Sequence, residues 1–244
     1  MGTNRKPVSY LQTDARWRAK RWPCAGGTMS LGGGGCGPTC AAMLIETLTG
    51  APCPPTATME WACRRGYVTA GQGTQYAYFR AQLARFGIDC ALLTQTPCLS
   101  AASPVRAQVE RMLAEGYYFV ALMKPGLWTG GGHYVLVWDA DERVRILDPA
   151  STAEARTNGD PDAFFAQAKY FWSVDARDYN RQDEEETMKR YDTLEEIETS
   201  APWAAETVRK LIERGALGGT GAGLDLSADL LRAFVVNDRM GLYR

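Results

Sequence analysis

"LGGGGCGPTC" (Leu31–Cys40) is the segment on which the reading of this chain turns. Four glycines lead into Cys36, and Gly37, Pro38 and a second cysteine, Cys40, follow. A phosphate cradle, half of a metal site, a flexible linker and the mount of a reactive thiol are the competing readings. Gly32, Gly34 and Gly37 fit the dinucleotide pattern, but that pattern must follow a buried strand and be followed by an acidic partner. The preceding "RWPCAGGTMS" does not read as a strand, and no Lys-Ser or Lys-Thr completes a P-loop. Zinc needs ligands at C-x-x-C or His-rich spacing, whereas Cys36 and Cys40 are C-x3-C and the chain has 1 histidine. A linker is excluded by the helix that begins at Pro38.

The remaining reading is chemical. A cysteine just ahead of a helix has its sulfur beside unpaired N–H groups and the positive end of the helix dipole, and both favour the nucleophilic thiolate. Flanking glycines would let the backbone turn tightly and a substrate come close. Such a thiolate needs a base, and the sole histidine is His133, in "TGGGHYVLVWDADERVRILDPA". If Val135 pairs with Ile146 in a hairpin about "DADE", His133 falls opposite Asp148 on the same face. Opposed Cβ atoms lie roughly 4.5–5.5 Å apart, close enough for the carboxylate to orient the imidazole.

Periodicity sets these residues in an α+β domain. "PTCAAMLIETLTG", "QYAYFRAQLARFG" and "SPVRAQVERMLAEG" read as helices closed by Gly50, Gly87 and Gly116. The second carries a stripe of Tyr76, Phe79, Leu83 and Phe86, and Ser103 caps the third. "YYFVALM", "HYVLVWD" and "RVRILD" then read as strands. Helices first and strands later indicate helices packed on an antiparallel sheet. The polar stretch 173–190 reads as a charged linker. Beyond it, 191–244 reads as a helical hairpin with serine caps, Tyr191, Leu194, Trp203, Val208, Leu211 and Ile212 facing Leu230, Leu231, Phe234 and Val235.

The four segments "YLQTDARW", "GGGGCGPTCAAML", "GQGTQYAYFRAQLARFGI" and "GGHYVLVWDADERVRILDPA", and their order, resemble the papain-like cysteine peptidases of the bacteriocin-processing, double-glycine leader type. The closer likeness is to their free-standing phage and prophage relatives, and it spans about Ser9 to Trp172. The resemblance implies a papain-like fold over 1–172, Cys36 as nucleophile, His133 as base and Asp148 as orienter. It alone promotes Gln12, as the side-chain donor of an oxyanion hole whose other donor is the Cys36 N–H. Gly35, Gly132, Trp128 and Trp17 are assigned to the substrate-binding surface, and Cys40 to core packing. The 191–244 segment resembles a module found behind wall-degrading phage enzymes, which implies wall docking or self-association into a homo-oligomer.

Composition narrows the partners. A net charge of −1 creates no field toward nucleic acid, and no apolar run is long enough to insert in a membrane. No cofactor or metal is expected. The 7 cysteines, an odd number without a secretion signal, read as mostly small buried side chains without a disulfide. The expected activity is hydrolysis of a peptide amide in bacterial peptidoglycan, by an endolysin-like enzyme made in the cytoplasm and acting on the wall after release. Processing of a double-glycine leader or toxin is the alternative enzyme, and an inactive wall-binding phage component the alternative of another class.

Overall fold

The computed structural model describes residues 4–181, 190–219 and 223–243. Two compact units divide the chain, Met1–Asn180 and Arg181–Arg244.

The first unit is α+β, built on one six-stranded sheet. A hairpin of β1 (Arg21–Cys24) and β2 (Gly27–Ser30) precedes the short helix α1 (Leu31–Gly34). Helices α2 (Cys36–Thr49) and α3 (Pro55–Arg64) come next. The small hairpin of β3 (Val68–Thr69) and β4 (Gly73–Thr74) leads into α4 (Tyr78–Ala84), β5 (Cys90–Leu92) and α5 (Pro104–Ala114). Strands β6 (Tyr117–Met123), β7 (His133–Ala140) and β8 (Val144–Leu147) form a meander. The short helix α6 (Glu154–Thr157), β9 (Asn158–Gly159), α7 (Pro161–Gln167) and β10 (Ala168–Asp175) complete the unit. The sheet order is β5-β10-β6-β7-β8-β9, with every neighbouring pair antiparallel.

Both faces of this sheet are covered. Tyr118, Val120, Leu122, Tyr134 and Leu136 pack with Cys40, Met43, Leu44 and Phe79 of α2 and α4. Phe119, Ala121, Val135 and Val137 pack with Val109 and Leu113 of α5 and Phe164 and Phe165 of α7. Antiparallel sheets commonly leave one face in water and then alternate polar and apolar residues. Here "YYFVALM" and "YVLV" (Tyr134–Val137) are apolar throughout because alternate side chains enter separate cores. Each fully buried large side chain contributes about 1.5–3 kcal/mol.

Several sequence expectations change. "RWPCAGGTMS" forms the β1–β2 hairpin, exposed to half-buried and antiparallel rather than the buried strand of a dinucleotide fold. The first unit runs past 172, so the linker expected over 173–190 begins too early. Ser173 and Val174 are buried in β10, and the buried Asn180 side chain donates to Gly116 O (2.9 Å) and accepts from Arg5 N (3.0 Å). These backbone partners make a polar segment part of the core structure. Residues 182–189 of the expected linker lie outside the described residues. In α4 the buried stripe is Tyr78, Phe79, Gln82 and Leu83, while Tyr76 and Phe86 are exposed.

The second unit holds α8 (Leu194–Ser200), α9 (Pro202–Glu213) and α10 (Ala228–Arg239). Two short strands, β11 (Arg190–Tyr191) and β12 (Leu226–Ser227), pair antiparallel. Tyr191, Ile197, Val208, Leu226, Leu231 and Val235 share one core. Ser227 caps α10 by accepting from Leu230 N (3.2 Å), but the N-cap of α9 is Ala201, which offers no side-chain acceptor, because Ser200 ends α8. Trp203 and Leu230, expected inside, are exposed, and Ala204 and Ala205 take the buried face of α9. No helix among the described residues is long and apolar enough to cross a membrane.

Candidate active site

The glycine run is a pair of helix starts. Ser30 caps α1 by accepting from Gly33 N (3.1 Å), Gly35 N donates to Leu31 O (2.8 Å), and α2 begins at Cys36. Cys36 is therefore the first residue of its helix, two positions before the expected Pro38 start. Gly32 to Gly37 have no positive φ, so the expected tight turn is not why they are glycines. The reason is crowding. A Cβ on Gly34 would come within 2.6 Å of Met29 Sδ, one on Gly37 within 2.7 Å of Thr74 Oγ1, and one on Gly35 would run into Leu31 O.

Cys36 is buried, yet it lines a cleft of 680 Å³ together with Gln12, His133 and Gly132. The β3–β4 hairpin contributes Gly73 and Thr74 to this cleft, and Tyr134 Oη donates to Thr74 O (3.2 Å), tying the hairpin to β7. His133 is the first residue of β7, opposite Met123 of β6. Its Nε2 lies 2.7 Å from Asp148 Oδ1, which leaves Nδ1 as the nitrogen for the thiol.

The hairpin register behind this contact differs from expectation. Val137, not Val135, pairs with Ile146, and a bulge follows before Asp139–Arg145. Continued toward the cleft, that register sets Asp148 opposite Val135. Contact with His133 is made instead because Asp148 lies beyond β8, in a turn closed by its bridge to Ser151 and by Ala150 N donating to Oδ1 (2.8 Å).

Arg156 escapes sequence reasoning altogether. Its Nε donates to Asp148 Oδ2 (2.6 Å), and its guanidinium also donates to Trp128 O (2.7 Å). Trp128 Nε1 returns a bond to Arg156 O (3.0 Å). The carboxylate, with a side chain 0% exposed, thus faces an imidazole on one oxygen and a guanidinium on the other. A buried carboxylate is stable only when so partnered. Arg156 sits in the polar "STAEARTNGD", where no periodicity or motif distinguishes it.

The electrostatics match nucleophilic chemistry. Burial pushes the Cys36 thiol up, but the hydrogen bond and charge of His133, with backbone bonds from Tyr134 and Gly37, hold it below its ordinary value. Burial pulls the His133 imidazole down, and its bonds to Asp148 and Cys36 outweigh this, raising it to about 9. Desolvation instead pushes Cys53 and Cys63 up to about 11, Cys90 to about 12, and Cys40 well above its ordinary value. Cys40, wholly buried in α2, is a core side chain.

Gln12 reaches the cleft as the resemblance implies. Its backbone N donates to Pro149 O (2.7 Å), so the turn that carries Asp148 also pins Gln12, and its Nε2 donates to Gly32 O (2.9 Å). Nε2 carries a second hydrogen, and the Cys36 N–H, first in its helix, has no intrahelical acceptor.

The structure does not bring the other assigned residues together at this cleft. Gly132 lines it; Gly35 is the N-cap of α2 behind it. Trp128 is buried edge-on to Phe164 at 5.5 Å, where it braces Arg156. Trp17 is buried against Tyr10 and donates to Leu11 O (2.8 Å), steadying the loop that carries Gln12. Both tryptophans, assigned to the substrate-binding surface, are buried in packing. Among the described residues no three His, Cys, Asp or Glu side chains converge to hold a metal. A scan against protein-family models and a search of curated proteins each return no match.

Proposed function

We propose that this protein is a papain-like cysteine peptidase that hydrolyses a peptide amide of bacterial peptidoglycan. The observation that carries the reading is the line Cys36–His133–Asp148–Arg156, whose first two members line the cleft, with the thiol lowered and the imidazole raised to about 9. Such a pair favours the thiolate–imidazolium form.

The Cys36 thiolate attacks the scissile carbonyl carbon, and the carbonyl oxygen takes the negative charge. Gln12 Nε2 and the Cys36 N–H donate to that oxygen. As the intermediate collapses, the C–N bond breaks and imidazolium Nδ1 gives its proton to the departing amine. Water, deprotonated by the neutral imidazole, then attacks the thioester; the acid product leaves and the thiolate–imidazolium pair is restored. Asp148 holds the ring and stabilises its cation, and Arg156 holds Asp148.

The peptidoglycan assignment rests on the resemblance of the four quoted segments and of 191–244 to phage-type wall enzymes. Digestion of purified peptidoglycan, with the new termini identified by mass spectrometry, tests it. New amino and carboxyl termini that appear with the natural protein and are lost with Cys36→Ser are expected. Unchanged wall material in the presence of folded protein would overturn the assignment.

A further inference from the structure

Two cations line the cleft, Lys124 and Lys169, and among the described residues no Asp or Glu lines it. In a chain whose net charge is −1 this local imbalance is marked. Both lysines are half-buried, and neither ammonium has a carboxylate partner among the described residues. Elsewhere in the same unit Arg16, Arg106, Arg156 and Arg177 are each paired with a carboxylate. The Lys169 ammonium is held over the Tyr170 ring at 5.4 Å, and Lys124 is pinned through its N–H to Gln167 O (2.9 Å).

Their place in the sheet gives this imbalance a direction. His133 pairs with Met123, and Met123 pairs with Ala168. Lys124 follows Met123 just past the end of β6, and Lys169 follows Ala168 at the bulge of β10, so each adjoins a residue of the cross-strand row that starts at the base. Proton delivery by His133 puts the departing amine on this same side of the thiol. Strands lie about 4.8 Å apart, so an anion between the two ammonium groups sits on the order of 10 Å from the imidazole, about three extended residues beyond the scissile bond.

We infer that Lys124 and Lys169 form an anion subsite that selects a substrate whose amine-side fragment carries a free carboxylate within about three residues of the cleaved amide. The inference rests on the thiol-peptidase reading for its direction, not for the existence of the subsite. Two unpaired cations beside a cleft raise the local concentration of an anion and favour its approach to Cys36.

The test compares two reagents of nearly equal shape, iodoacetate and iodoacetamide, and reads alkylation of the Cys36-containing peptide by mass spectrometry. In buffer of about 10 mM ionic strength, Lys124→Met with Lys169→Met should lower the iodoacetate-to-iodoacetamide rate ratio about fourfold. The two single variants, with their folds checked by circular dichroism, should each lower it about twofold, and the differences should vanish near 1 M salt. A ratio that all three variants leave unchanged overturns the subsite. Wall-derived peptides, with carboxylates free or amidated, supply the second arm. Hydrolysis with a lysine-independent ratio keeps the peptidase and removes the subsite; a lysine-dependent ratio without hydrolysis of any peptide does the reverse.

Discussion

The two units bury different things. In the second, the only described polar side chain taken fully inside is Thr207, whose hydroxyl donates to Asp238 at 3.2 Å, and the core is otherwise small and apolar. In the first, Gln12, His133, Asp139 and Asp148 are all buried, and the Asp148 side chain is 0% exposed. Burying charge is costly, and a well-packed apolar replacement is often as stable or more so. A fold selected for stability alone has little use for a desolvated thiol, imidazole and carboxylate in line. The first unit carries such an unfavourable arrangement, compensated by Arg156 and by the turn at Asp148.

That contrast is broken most directly at Cys36. Cys36→Ser should fold normally and lower kcat by at least about 1000-fold, while Cys40→Ser, a core change, retains activity. Circular dichroism and wall digestion read both. Comparable losses for the two would erase the distinction between the lowered thiol and its buried neighbour.

Gln12→Ala removes a side-chain donor to the oxyanion and should lower kcat about 100- to 1000-fold with little change in KM. A change confined to KM would make Gln12 a binding residue rather than part of the oxyanion hole.

Arg156→Met tests the compensation itself. Withdrawing one positive charge from Asp148 favours the imidazolium, so the alkaline limb of the kcat profile, set by His133 near about 9, moves to higher pH. Looser positioning of the carboxylate should also lower kcat about 10- to 100-fold, and leaving the buried Asp148 Oδ2 without its guanidinium costs about 3 kcal/mol of stability. Lysine at 156 should restore the pH limb more fully than the rate, because it returns the charge without the fork. Loss of stability with an unmoved pH limb would reduce Arg156 to a structural brace.

The His133 imidazole can be followed by itself, since the chain has 1 histidine. Its NMR titration should centre near about 9 and fall in Cys36→Ala, where the thiolate that favours the cation is gone. Activity should rise as Cys36 ionises and decline as pH passes through about 9. An imidazole midpoint indifferent to Cys36→Ala would break the pair.

The smallest effect is expected at the unit boundary. Ending the chain after Asn180 leaves both cores of the first unit intact, so hydrolysis of a small soluble peptide should be unchanged. Attack on whole walls should weaken, or the oligomeric state seen by light scattering should change, because docking and avidity are lost. A folded, shortened chain without peptide hydrolysis would mean that the second unit completes the site.

Local chemistry alone determined much of the candidate site. Cys36 was legible because a cysteine among glycines at a helix start has few structural reasons to be there, and His133 because it has no competitor. The helices ending at Gly50 and Gly116 and the three strands of the meander were legible from periodicity, and the α+β class from their order. Gln12 was legible only through resemblance. Tertiary structure alone decided the rest. It shifted the hairpin by two residues and still joined Asp148 to His133, because a turn beyond β8 is not bound by strand register. It drew Ser173 to Asn180 into the first unit by supplying backbone partners to polar side chains. It turned Trp17 and Trp128 inward, and brought Arg156 to a carboxylate eight residues away in the chain. Periodicity records which face of an element is apolar; it carries no record of which polar group will meet another across the fold, and in this protein those meetings set the charge of the thiol.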